Sequence, residues 1–510
     1  MTAVRPVLSG SVETEAKLDA WVGFALPDLQ GVVDGAVAVA LPEKILDATY
    51  YDTADLRLAR AGITVRHRLG EGDRDGTWTV KLPEGSTGPA TSRREITLAA
   101  PGRVIPDEVA GLVRAVVRSA LLAPVARLRT RRRATELRDG EGRPLAEVDD
   151  DEVSVMDGPR LAARFRELEV ELHDTPPPAL LERVVERLRA AGASPAGPAP
   201  KLMKALGPRS QGPADTAVAT LGDDATTAEV VRAAIASGTS RLVAHDPGVR
   251  MGEDPEDVHQ ARVAVRRLRS DLRTFAPVLD EAVTEPLRDR LRGLGAALGE
   301  VRDAEVLSER LRRQAGELPG ANPAAVTALL ARLSTGREEA RERLLVVLDS
   351  DDYLGVLDAL VAAGASVPCR PEADVPAASG LAELVRMPWV RLRKAVEKLG
   401  DEPEVEALHE VRILAKHCRY AAEAAAPVIG KAARTFAHAV AEVQGVLGDL
   451  NDAVVAEAWL RAVGPSLDAP EVVLAGELVG LQRRCVDVGR RTWRQAWEEA
   501  SAKSLRSWLR

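Results

Sequence analysis

The sequence predicts an α+β protein: an N-terminal antiparallel β-barrel that encloses a charged tunnel and carries flanking helices, followed by an all-α domain of two duplicated helical bundles. Three observations carry this expectation. The first 175 or so residues contain short segments that alternate side-chain type with period two, and in most of them the partner of the apolar face is charged. From about residue 224 onward the periodicity is helical. Within that helical stretch one motif occurs twice, offset by 149 to 150 residues, which marks a duplicated unit.

Taken in order, the strand segments are VETEAKL, GITVRHRL, TWTVKL, SRREITL, PLAEVDDDEVSV and RFRELEVEL, separated by Gly, Pro or Asp clusters. Helices are expected near residues 14–26, 105–121 and 178–191. On an extended strand Glu13, Glu15 and Lys17 share one face. The same alternation recurs in Arg66 and Arg68, in Arg93 and Glu95, in Arg129, Arg131 and Arg133, and in Glu167, Glu169 and Glu171. Charged faces on several strands are costly to bury unless they line a wet interior, which a closed or nearly closed barrel provides. Paired carboxylates suit a hard divalent cation such as Mg²⁺ or Mn²⁺, and converging Arg and Lys suit phosphate oxygens. Together they describe a site for a metal-bound oligophosphate.

A stretch rich in Ala, Gly and Pro runs from Ala191 to about Asp223 and reads as a linker carrying Lys201 and Lys204. The expected domains are residues 8–206 and 224–505 with 207–223 between them, and VPCRPEADVP at 367–376 divides the second into halves at about 224–365 and 377–505. In the first half HQARVAVRRLR supplies His259, Arg262, Arg266 and Arg269; in the second HEVRILAKHCR supplies His409, Arg412, Lys416 and Arg419. Those spacings fall on one helical stripe about 15 Å long, a surface of polyanion size. Each copy is followed by a second motif, LGEVRDA with Leu298, Gly299 and Asp303, then LGDLNDA with Leu447, Gly448, Asn451 and Asp452. Asp303 and Asp452 are expected to orient the basic side chains by salt bridges. Asp254 before Pro255 reads as a helix N-cap, with Pro403 in the same role before the second copy. His245, His417 and His438 lack such repetition and read as structural or surface residues.

Composition limits the alternatives. The 510 residues are too many for one ordinary core. No run approaches the roughly 20 apolar residues of a membrane span, and the first residues lack a secretory pattern. Cys369, Cys418 and Cys485 are too few and too scattered for a disulfide framework or a zinc site, so a reducing cytoplasm is the expected compartment. The net charge of −8 is a whole-chain sum that leaves room for local basic surfaces. Aromatics at 3%, none interleaved with the stripes, argue against nucleic acid as partner.

The ExExK strand at Glu13, the segment YYDTADLRLARAGITVRHR, the strand ending at Lys81 and the strand ELEVEL resemble the CYTH domain, or triphosphate tunnel metalloenzyme fold. The helical half resembles the CHAD domain, an α-helical module with conserved histidines that binds inorganic polyphosphate. The resemblance implies that Glu13, Glu15, Glu169 and Glu171 hold Mg²⁺ or Mn²⁺, and that Lys17 faces substrate from the same catalytic strand. It implies that Arg57, Arg66, Arg68, Lys81, Arg93 and Arg131 contact phosphates, with Lys201 closing one end. Thr97 stands where the family often has an acid, a role that Glu147 or Asp149 would then take. The implied activity is a metal-dependent inorganic triphosphatase acting on tripolyphosphate, with a helical domain that binds inorganic polyphosphate. The alternative is a non-catalytic polyphosphate-binding or granule-associated protein. Thiamine triphosphatase and adenylyl cyclase rank lower, since their substrates need a ring seat and only the region of Trp78 offers an aromatic.

Overall fold

Period-two alternation with both faces in use is resolved here by closing the sheet. In this computed structural model the described residues are 9–70, 76–87, 90–102, 104–173, 176–196 and 200–509, and the chain divides into two units at Asp215. The first unit contains β1 (Ser9–Ala20), β2 (Val37–Ala40), β3 (Lys44–Asp52), α1 (Arg57–Arg60), β4 (Thr64–Leu69), β5 (Thr77–Thr87), β6 (Ala90–Ala99), α2 (Asp107–Val117), β7 (Ala123–Arg138), β8 (Pro144–Asp157), β9 (Arg160–Leu172), α3 (Leu180–Ala190), β10 (Ser194–Pro195) and α4 (Lys201–Leu206). Eight antiparallel strands close in the order β1-β6-β5-β4-β3-β7-β8-β9 and back to β1, with β2 added on β7 and β10 on β1.

Closure sorts each strand by parity. Ala16 and Leu18 of β1, Ala146 and Val148 of β8, and Leu168 and Val170 of β9 face outward into a core with Leu180, Val184 and Leu188 of α3. The odd positions of β1 and β9 are left to the interior. The helix expected over 14–26 does not form, because alternation through Leu18 keeps β1 extended to Ala20. The stretch read as linker also contributes: β10 pairs with Leu18 and Asp19, while Leu202 of α4 packs with Tyr50, Leu128 and Val153. That apolar cluster fills part of the interior and leaves the rest polar.

The second unit is helical: α5 (Thr227–Met251), α6 (Pro255–Thr274), α7 (Glu281–Glu317), α8 (Pro323–Leu348), α9 (Asp351–Ser366), α10 (Ala377–Glu397), α11 (Val405–Ile429), α12 (Lys431–Val463) and α13 (Ala469–Ala500). The duplication is visible in the core. Val258, Ala261, Val265, Leu268 and Leu272 are buried on α6, and Leu408, Val411, Ala415, Cys418 and Ala422, each 150 positions on, are buried on α11. The halves meet where α6 packs on α11. Asp254 caps α6 as expected, accepting from the Glu256 amide at 2.8 Å with Pro255 at the first helical position. Pro403 does not repeat this; α11 starts at Val405 and its cap is Glu404, which makes no side-chain bond. Among the described residues no helix is long and apolar enough to cross a membrane.

Candidate active site in the barrel and a cationic patch on the helical unit

Strand register decides what meets inside the barrel. On β1, β9 and β8 the partners Glu15, Glu171 and Glu147 form one cross-strand row, and Lys17, Glu169 and Asp149 form the next. These strands therefore make an acidic arc. The neighbouring arc is basic: Arg66 and Arg68 on β4, Lys81 on β5 and Arg93 on β6 line the same cavity of about 80 Å³, together with Glu13, Glu95, Arg132 and Lys201.

The two arcs neutralise each other. Lys81 Nζ lies 2.5 Å from Glu13 Oε2 and 2.7 Å from Glu95 Oε2; Lys17 Nζ lies 3.1 Å from Glu15 and also bonds Glu169. Lys201, at the head of α4, reaches Asp151 at 2.6 Å and Glu169 at 2.5 Å. Burial alone would lower the pKa of Lys201, but Asp151, Glu169 and Glu167 hold it above the usual lysine value. Burial likewise opposes ionisation of Glu169, yet Lys17, Lys201 and Arg132 hold its carboxyl well below the ordinary range.

Compensation is uneven, and this bears on metal binding. Asp149, Asp151 and Glu169 bring carboxylate oxygens within 4.8 Å of one another, but Arg132 lies 2.5 Å from Asp149 and 2.8 Å from Asp151, with Lys201 beside them. Glu171 differs: among the described residues it has no ion pair, and burial, with the carboxylates of Glu13, Glu95 and Glu169, pushes its pKa up to about 7 despite Lys81. Burial also raises Glu13, against the pull of Lys81. Glu15 Oε1 is buried without a hydrogen bond and lies 3.7 Å from Arg93 Nε, while Oε2 faces Lys17. Hard oxygen donors that repel one another fit a divalent cation; Glu171, unpaired among the described residues, suits that role, with Glu13, Glu15 and Glu169 able to join it where their lysine partners are displaced.

Two expected phosphate contacts lie elsewhere. Arg131 is on the outer face of β7, half exposed, 3.6 Å from Glu43 and 3.9 Å from Glu152; its neighbour Arg132 takes the interior. Arg57 bonds Asp55 at 3.0 Å and the Val117 carbonyl at 2.8 Å and does not line the cavity. Arg132, Asp151 and Tyr50 are interior residues that the sequence reading missed. Neither Thr97 nor Asp149 is among the lining residues; Asp149 is buried 2.5 Å from Arg132. Trp78 is fully buried against Tyr51 and His67, ring centroids 5.0 Å away, and does not line the cavity.

On the helical unit the two stripes converge where α6 meets α11. Arg266 Nη2 donates to Tyr420 Oη at 2.5 Å, and Arg419 stacks over the same ring at 4.7 Å. Arg262 pairs with Asp303 at 2.7 Å and packs beside Gly299, while Arg412 lies beside Gly448, so each Leu-Gly pair gives one core leucine and one bare helix surface for an arginine. Asp452 makes no such pair within 4 Å of Arg412, though its charge acts on it. His409 Nδ1 is 2.6 Å from Asn451. Burial and Arg302 lower the pKa of His259. Arg419 is paired with Glu423 at 3.3 Å. Arg269 and Lys416 have no carboxylate within 4 Å among the described residues; burial and Arg292, Arg273 and Arg288 lower Arg269. His417 lies 3.1 Å from Arg273 at the patch edge, and burial with that charge pushes its pKa down to about 4.

Residues 25–196 match the CYTH domain and residues 233–461 match the CHAD domain. The uncharacterized protein Rv2226 of Mycobacterium tuberculosis is 32% identical over 471 residues, 88% of each chain. Among solved structures, PptA from Streptomyces chartreusis covers 54% of this chain and all of its own at 22% identity and a TM-score of 0.46. The CHAD domain from the plant Ricinus communis covers 58% of this chain and 95% of its own at 26% identity and a TM-score of 0.42. With a relative of that identity aligned along both units, the chain belongs to the proteins that join a CYTH domain to a CHAD domain.

Proposed function

We propose that this protein is a metal-dependent inorganic triphosphatase whose helical unit binds polyphosphate. The observation that carries the reading is the pair of opposed arcs in one narrow cavity. Phosphate oxygens exchange for carboxylates as partners of Lys81, Arg66, Arg68 and Arg93, and the released Glu13 and Glu15 join Glu171 in becoming available to a divalent cation such as Mg²⁺ or Mn²⁺. When bound, such a cation polarises the terminal phosphoryl group and orients the attacking water. The arginines and Lys81 then stabilise charge on the departing phosphate. Lys17, kept protonated by Glu169 and Glu15 against the cost of burial, acts as a fixed cation and not as a base. The mostly charged lining favours a linear inorganic substrate over one bearing a ring, and Trp78, packed outside it, offers no seat.

The paired stripes support the second half of the reading. They set cations from α6 and α11 side by side with few carboxylate partners, and a flexible chain of phosphates can follow them with counterion release as a driving term.

The test is phosphate release from tripolyphosphate with and without Mg²⁺ or Mn²⁺, comparing the protein with Glu13→Gln and Glu15→Gln. Metal-dependent release that falls on the order of 100-fold in each variant is expected. No release from the folded protein would leave a polyphosphate receptor in its place.

A further inference from the structure

The packing of α6 on α11 sets the same two positions against each other twice, and the copies differ in charge. Arg267 of α6 meets Glu423 of α11 at 3.2 Å. Displaced by the 150-residue repeat, these positions become His417 of α11 and Arg273 of α6, which lie 3.1 Å apart. The second contact therefore has the cation without the carboxylate. One guanidinium nitrogen of Arg273 is 3.1 and 3.3 Å from the two ring nitrogens of His417, so it sits over the imidazole face. The other donors of that guanidinium are left for a further acceptor.

What lies next to this unmatched cation is mostly apolar. Between α6, α10 and α11 is a cavity of about 150 Å³, with Arg273 and His417 in its lining. The α10 sequence LVRMPWVR brings Leu384, Met387, Pro388 and Arg391 onto one helical stripe, and all four line the cavity opposite Leu414 of α11. Arg391 is exposed and, like Arg273, makes no ion pair among the described residues. An apolar cavity of roughly this volume holds a benzene ring, and a pair of guanidinium groups matches a carboxylate.

We propose that this cavity binds a small organic carboxylate of the size of benzoate, its apolar body against Leu384, Met387 and Leu414 and its carboxylate on Arg273 and Arg391. Inorganic phosphate and its chains would satisfy the arginines but leave the apolar wall bare, so the site differs in ligand class from the cationic stripes. Arg273 follows Arg269 by one turn on α6, and its charge extends the stripe. A bound carboxylate neutralises that end, which makes the acid an antagonist of polyanion binding. This consequence, unlike the site itself, rests on the polyphosphate reading of the stripes.

The experiment titrates the full chain with benzoate by ligand-observed NMR, with benzyl alcohol and acetate as probes that each lack one half of the ligand. Benzoate is expected to bind saturably and about 10-fold or more tighter than either. Arg391→Gln and Met387→Glu, both at exposed positions, are expected to weaken benzoate about 10-fold each while leaving thermal unfolding unchanged. Benzoate binding that both variants leave intact, or that acetate matches, would overturn the proposal, as would the lack of saturable binding. Weaker retention of long polyphosphate in saturating benzoate would uphold the antagonism. Benzoate bound in the cavity with no effect on polyphosphate would uphold the site and remove Arg273 from the polyanion surface.

Discussion

Asp271 sits on α6 beside the cationic stripe and is fully buried, with neither carboxylate oxygen hydrogen-bonded. Burial raises its pKa to about 7, with Arg267 opposing and Glu423 adding. Because the unfolded chain has an ordinary aspartate near pH 4, the folded state binds the extra proton between about pH 4 and pH 7. Stability therefore falls as pH rises through that window. Asp271→Asn removes this dependence, so chemical denaturation should show little change near pH 4 and a gain of about 4 kcal/mol at pH 8; an equal effect at both pH values would show that the carboxylate is ionised throughout. The sequence hid this residue in RSDLR, which reads as a solvated charged face. The legible hint lay in the duplication, because the matching position is Ala421, which is buried.

At the scale of an element, β7 shows what alternation can and cannot tell. RTRRRAT carries arginine at both parities, so period two separates Arg129, Arg131 and Arg133 from Arg132 without saying which set is inside. The uncharged members decide it: Leu128, Thr130 and Ala134 are buried and share the parity of Arg132. On β1 and β4 the ambiguity does not arise, since charge occupies mostly one parity, and there Glu13, Glu15, Arg66 and Arg68 do line the cavity; on β9 the arginines and glutamates take opposite parities, and Glu169 and Glu171 are the ones inside. The register predicts a sharp contrast between neighbours. Arg131→Ala should leave tripolyphosphate hydrolysis within about 2-fold and stability within about 0.5 kcal/mol, as for other surface substitutions. Arg132→Ala strips the buried Asp149 and Asp151 of their bidentate or close partner and should cost about 3 kcal/mol, read from a denaturant midpoint. Equal loss in the two variants would mean that β7 is one residue out of register.

For the whole molecule, the duplication and the change from period two to helical period were legible because they are long-range regularities that survive any single substitution. The convergence of the stripes was not, since it depends on how α6 packs on α11, and that packing is set by apolar positions 150 residues apart. The net charge of −8 also averages over opposite local fields, an acidic arc with its own cations in one unit and a cationic patch in the other. Each unit has its own core and candidate site, so thermal unfolding of the intact chain should show two transitions. A ligand stabilises the unit that binds it by about 2.7 kcal/mol at a concentration 100 times its Kd. Long polyphosphate in metal-free buffer should therefore raise one transition alone, the same one that Asp271→Asn raises at pH 8, and the shift should shrink as salt is added. Calorimetry in which polyphosphate moves only the other transition would place the polyanion site in the barrel; movement of both would place a polyanion site in each unit.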